Sequence, residues 1–198
     1  MKTENVVLMQ MAKDSLKGNW GLAVGTFIVY FLVVGAVQSP SIVFPSTGVL
    51  SLIIAGPMAL GFAIFSLAMS RKQDPRLEQI FFGFKLFLQA LGLYILMVIF
   101  TILWMLLLIV PGIIAALSYS MSFFILADDN SIGAMQAIDK SKAMMQGYKA
   151  KLFRLYLRFA AWGLLCILTL GIGFLWLVPW VQVTMAKFYD DIKEENQI

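Results

Sequence analysis

Apolar residues run along this chain in long unbroken blocks, and the charged side chains between the blocks fall into four patches. Residues 1–19 hold Lys2, Glu4, Lys13, Asp14 and Lys17, and residues 71–85 hold Arg71, Lys72, Asp74, Arg76, Glu78 and Lys85. The third patch, 128–158, runs from Asp128 and Asp129 through Asp139, Lys140 and Lys142 to Lys149, Lys151, Arg154 and Arg158. The tail holds Lys187, Asp190, Asp191, Lys193, Glu194 and Glu195. The other connections, around 39–48, 111–112 and 171–173, carry no charge. A soluble helix bundle places polar residues along its outer faces at every turn, whereas nothing charged interrupts Leu86 through Ala127. A charge at mid-bilayer costs at least about 2.5 kcal/mol, so uncharged apolar segments of about 20 residues read as membrane spans.

The pattern predicts an all-α fold, a polytopic transmembrane helix bundle of six spans in three hairpins. The spans fall at about 20–37, 49–69, 86–109, 113–127, 152–170 and 174–188. Pro111-Gly112 is the expected turn between the third and fourth. Gly171-Ile172-Gly173 is expected to reverse the chain between the fifth and sixth, where glycine accepts positive φ. The first apolar stretch follows a Lys-containing leader and is read as a retained span rather than a cleaved signal. Every second connection is basic, and Lys and Arg stay cytoplasmic, so both termini are expected inside. Residues 39–48, stiffened by Pro40 and Pro45, form the only external segment of any size.

Each hairpin is preceded by a short amphipathic stretch, expected to be an interfacial helix. Val7, Leu8, Met11 and Leu16 oppose Lys13 and Lys17 in the first. Leu77, Ile80, Phe81 and Phe84 follow i, i+3, i+4, i+7 in the second. In the third, 131–151, Ile132, Met135, Ile138, Met145 and Tyr148 oppose Asp139, Lys140, Lys142 and Lys149. Gly18, Gly83 and Gly147 close these stretches at intervals of 65 and 64 residues. The whole chain, 1–198, thus reads as one membrane domain with pseudo-threefold repeat units at about 1–70, 71–128 and 129–198.

Composition sharpens the exclusions. The chain is 61% hydrophobic and 13% charged, with no histidine and one cysteine, Cys166. An intrachain disulfide, His-based triads and thiolate or imidazole metal sites are therefore excluded. No cofactor or metal is expected, and no nucleic acid either, because the net charge of +4 follows from the positive-inside pattern. No acid lies within a span, where membrane enzymes carry theirs, so no catalytic residue is assigned. Asp128-Asp129 is the only carboxylate pair beside the bilayer. Adjacent acids ahead of a helix ordinarily serve as cap and solvated loop.

Three sets of residues remain as candidates. Lys140, Lys142, Lys149, Lys151, Arg154 and Arg158 stand where anionic lipid headgroups would meet them. Gly21 and Gly25 have the small-xxx-small spacing of a helix interface, within the chain or between subunits. Ser118, Ser120, Ser122, Gln182 and Thr184 are positioned to line a polar groove, although Ser and Thr in spans usually bond their own backbone. Trp104 is expected in the core.

The sharpest motifs lie in the last third: Ala137-Ile138-Asp139-Lys140-Ser141-Lys142, Met145-Gln146-Gly147-Tyr148-Lys149, and Leu168-Thr169-Leu170-Gly171-Ile172-Gly173-Phe174-Leu175-Trp176. Pro179-Trp180 and Phe188-Tyr189 follow, and Ser15-Leu16-Lys17-Gly18-Asn19-Trp20 stands near the start. Together they resemble a bacterial integral-membrane family known as domain of unknown function 975. That family is similar to the membrane portion of some glycerophosphodiester phosphodiesterases. It commonly has Pro-Tyr at the position of Pro179-Trp180. The resemblance implies a bacterial cytoplasmic membrane protein and brings no activity with it.

The expected function is non-catalytic handling or sensing of a lipid or other amphiphile at the inner leaflet, with anionic membrane lipids as partners. The rival expectation is an accessory, regulatory or immunity-type subunit packing against a transporter or peptide, or a homo-oligomer. A third is a stand-alone transporter of a hydrophobic substrate.

Overall fold

A computed structural model describes residues 3–38 and 47–196, with side chains described for 3–37 and 51–195. Every regular element among these residues is helical. The order is α1 (Asn5–Leu16), α2 (Trp20–Gln38), α3 (Thr47–Arg71), a 3-10 helix (Leu77–Leu86), α4 (Phe87–Leu107), α5 (Ile109–Tyr119), α6 (Ser122–Asp128), α7 (Ala134–Met144), α8 (Lys149–Leu168) and α9 (Phe174–Asn196). Four segments are long and apolar enough to cross a membrane: Trp20–Val37, Ser51–Arg71, Leu77–Leu107 and Ile109–Asp128. The expected external segment lies outside the described residues over 39–46.

The central helix is α3, which packs against α1, α2, α4, α6, α9 and the 3-10 helix. Its inward residues Met58, Leu60, Phe65 and Met69 are almost fully buried. Backbone meets backbone where it touches the 3-10 helix. A Cβ on Gly61 would lie 1.7 Å from the Ile80 carbonyl oxygen, and one on Gly83 would lie 1.9 Å from that of Pro57. Only glycine allows this approach.

Several expectations are corrected. The second amphipathic stretch is a ten-residue 3-10 helix. With three residues per turn it buries Ile80 and Gly83, while Phe81, Phe82 and Phe84 stay exposed. In α1 the buried face is Leu8, Met9, Ala12, Ser15 and Leu16. The small residues Ala12 and Ser15 let the helix sit close to its neighbours, and this turns Val7 and Met11 outward. The chain turns between the expected third and fourth spans at Leu108, in extended conformation (φ −164, ψ 147), rather than at Pro111. Pro111 is accommodated in the first turn of α5, where its missing N–H costs little. Gly112 then lets α5 fold back on Met105, whose Cγ would stand 2.3 Å from a Cβ at that position. The final reversal does use Gly171 at φ +86, joined by Leu170 at φ +54.

Gly18 and Gly147 have positive φ and terminate α1 and the α7 segment. Gly83 has a different role, since it marks the close approach to α3. The three regularly spaced glycines therefore do not share one structural role. The charged half of α8 is anchored through Lys151, Leu152, Leu155 and Phe159, whereas Leu164, Leu165, Ile167 and Leu168 beyond it are exposed.

Candidate functional site

The termini of α3, α6 and α9 converge on one ionic cluster. Arg71 donates from Nη1 to Asp128 at 2.6 Å and from Nη2 to Asp190 at 2.7 Å. Lys193 also donates to Asp128, and the Tyr189 hydroxyl reaches the same carboxylate at 3.2 Å. Burial pushes the Tyr189 hydroxyl up, reinforced by Asp128, so it remains a donor. Ser70 donates to Asp190 at 3.3 Å. A cleft of about 750 Å³ opens over this cluster, bordered by Arg71, Lys187, Asp190, Asp191, Lys193 and Glu194. Its three cations face three carboxylates, so it has no net preference for an anion.

Sequence reading did not assemble this cluster, because its members are separated by 57 and 119 residues. Asp128 is engaged by Arg71 and Lys193, contrary to a cap-and-loop role. Asp129 does keep that role. It accepts from the Ser131 N–H at 3.2 Å and pairs with Lys140 at 3.2 Å. These contacts, the Ser131 hydroxyl foremost, hold its carboxyl below the usual range. The first turn of α7 is instead closed by Gln136, whose side-chain oxygen accepts from the Gly133 N–H at 3.2 Å.

Of the six basic candidates, three are matched by carboxylates. Lys140 pairs with Asp129, Lys142 with Asp139 at 3.1 Å, and buried Lys151 with Asp191 at 2.7 Å. Thr3 donates to Asp191 too, and Asn5 donates to the Lys151 carbonyl at 2.9 Å, which staples the start of α1 to α8. Farther along, the Trp180 indole N–H donates to the Met9 carbonyl at 2.9 Å. Lys149, Arg154 and Arg158 have no carboxylate partner among the described residues. Arg154 donates only to the Ala150 carbonyl, at 3.2 Å.

These free cations border two distinct clefts. Lys149 and Lys142 line one of about 340 Å³ with Pro111, Ser118, Tyr119 and Trp104, so Trp104 lies on this surface rather than in the core. Arg154 and Arg158 line another of about 420 Å³ between α1 and α8. Among the hydroxyl candidates, Ser118, Ser120 and Thr184 donate to Ile114, Leu117 and Trp180 carbonyls at 2.7, 2.8 and 2.7 Å. The Ser122 hydroxyl is buried without a partner among the described residues. Ser120 and Gln182 share a cavity of about 230 Å³ with Tyr30 and Tyr156, while Ser118 lies in the Lys142 cleft. The five do not form one continuous groove. At Gly21 and Gly25, no atom of the other described segments lies within 4 Å of an added Cβ, so neither supports close helix packing among the described residues.

The geometry defines an all-helical protein with several membrane-length apolar helices, whose ionic residues gather where the helices end. It belongs to the family described as protein of unknown function DUF975, whose model matches residues 1–118 and 98–196. No curated protein and no solved structure gives a significant match.

Proposed function

We propose that this protein is a six-span bacterial cytoplasmic-membrane protein, with both termini inside, that binds anionic lipid or a similar amphiphile at the inner leaflet without chemical turnover. Three hairpins built on a threefold repeat remain the economical account of its topology, with the second unit modified around Gly83. The observation that carries the functional reading is the set Lys149, Arg154 and Arg158. Their charges are unmatched by carboxylates, and the clefts they border continue onto exposed apolar side chains. Juxtamembrane cations of this kind attract anionic headgroups by about 1 kcal/mol each. Catalysis finds little support, because the Asp128 carboxylate is occupied by Arg71, Lys193 and Tyr189.

Vesicle flotation of purified protein tests this reading. The wild type is expected to associate with phosphatidylglycerol vesicles well above its association with phosphatidylcholine vesicles. The triple variant Lys149→Gln/Arg154→Gln/Arg158→Gln is expected to lose that preference. Lys151 is left in place because its buried pair with Asp191 maintains the fold. Equal association of the folded triple variant with the anionic vesicles would refute the assignment.

A second reading, a subunit of a membrane complex, is favoured by the open space at Gly21 and Gly25. Gly21→Leu/Gly25→Leu would then dissociate a complex seen in native membranes while leaving the monomer folded. A complex that survives both substitutions removes that face from consideration.

A further inference from the structure

We infer that the groove between α1 and α8 seats one anionic glycerophospholipid, with its phosphate at Arg154 and Arg158 and one acyl chain running toward Trp162. This inference rests on the lipid-binding reading and names the site and the lipid class. Asn5 is stapled to Lys151 at the start of α8 and Lys13 reaches the Trp162 ring farther along, so the two helices run in the same direction. Met9 is held by Trp180 of α9, whose ring packs edge-on against Trp162. Two clefts open along this seam and share Arg158. The first, about 420 Å³, is polar and bordered by Glu4, Asn5, Lys151, Arg154 and Arg158. The second, about 410 Å³, is largely apolar and bordered by Val6, Met9, Ala161, Trp162 and Trp180.

Charge selects the occupant. Lys151 is neutralised by Asp191, which leaves two guanidinium groups against the single carboxylate of Glu4. Arginine forks match phosphate oxygens in geometry as well as charge. From Arg154 to Trp162 the helix rises about 12 Å, room for a phosphate, a glycerol and the first methylenes of a chain. The rest of the chain would follow the exposed side chains of Leu164, Leu165 and Leu168. A peptide or a second copy of this chain would also cover the apolar half, but two free arginines at one end favour a phosphodiester. Lys13 closes the far end, its Nζ 4.2 Å from the Trp180 ring centroid, where the ring face attracts the cation.

Native mass spectrometry of the full chain, titrated in mild detergent with dioleoyl phosphatidylglycerol or dioleoyl phosphatidylcholine, tests the seat. One phosphatidylglycerol is expected to survive activation that strips phosphatidylcholine. Arg154→Gln/Arg158→Gln should lower its affinity about 30-fold, while Lys72→Gln/Lys85→Gln, equal in charge removed, should leave it unchanged. Ala161→Trp fills the apolar half without altering charge and should also expel the lipid. All these positions are exposed, and thermal unfolding confirms that each variant is folded. If the Arg154/Arg158 variant or Ala161→Trp retains the lipid, the seat is overturned. If retention is lost instead in Lys140→Gln/Lys142→Gln/Lys149→Gln, lipid binding stands and this groove falls. No preference for phosphatidylglycerol in the wild type removes both readings, and a bound peptide or second chain in place of lipid overturns the seat.

Discussion

Asp128 and Asp129 are neighbours with opposite environments, and their local sequence gives no means of separating them. Asp129 bonds within two residues, to Ser131, so its role follows from the chain around it. Asp128 meets Arg71 and Asp190's helix only when α3 and α9 are docked. A buried pair loses more when one member is removed than the pair itself contributes, because the remaining charge is stranded. Asp128→Asn is therefore expected to cost roughly 2–3 kcal/mol, less than a fully buried pair because Arg71 is about a quarter exposed. Asp129→Asn should leave thermal unfolding in detergent unchanged. Equal melting temperatures for the two variants would show that the Arg71 cluster contributes no net stability. The basic residues follow the same rule. Lys140 and Lys142 find partners in nearby sequence, but the pairing of Lys151 with Asp191 needed the fold.

Long apolar helices were legible because hydrophobic length is a property of the sequence itself. The way those helices meet was less so, since a proline or glycine serves several geometries. Pro111 reads as a turn but enters α5, and the regular spacing of Gly18, Gly83 and Gly147 hides two different uses. Gly61 and Gly83 bring two backbones together, whereas Gly21 and Gly25 face open space. Alanine substitution separates the cases. It favours a helix by up to about 1 kcal/mol over glycine where space is free. Against a backbone carbonyl it forces the elements apart, at a cost of about 1–3 kcal/mol. Gly61→Ala and Gly83→Ala are thus expected to lower the unfolding temperature in detergent, and Gly21→Ala and Gly25→Ala to hold or raise it. Destabilisation of similar size at all four positions would contradict the packing described here.

At the scale of the whole molecule, the number of membrane crossings turns on α8. Four segments qualify as spans by length and composition alone. In α8 the charges Lys149, Lys151, Arg154 and Arg158 occupy the first half, leaving about a dozen uncharged residues from Phe159 to Leu170. At 1.5 Å per residue the part of this stretch inside the helix, Phe159 to Leu168, rises about 15 Å, short of a hydrocarbon core about 30 Å thick. Arg154 and Arg158 close the gap if their long side chains extend back to the headgroup layer, which also places both guanidinium groups where phosphate would meet them. Crossing by α8 and phosphate binding therefore require the same orientation of these two arginines. Single-cysteine variants in a Cys166→Ser background distinguish the arrangements, read with a membrane-impermeant maleimide on intact cells. Six crossings predict labelling of Ile172→Cys, at the exposed tip between α8 and α9, and protection of Gln73→Cys and Asn130→Cys until the cells are opened. If Ile172→Cys is protected along with the other two, α8 and α9 do not cross. The basic half of α8 would then lie along the inner surface with its apolar half tucked beneath the four membrane-length segments.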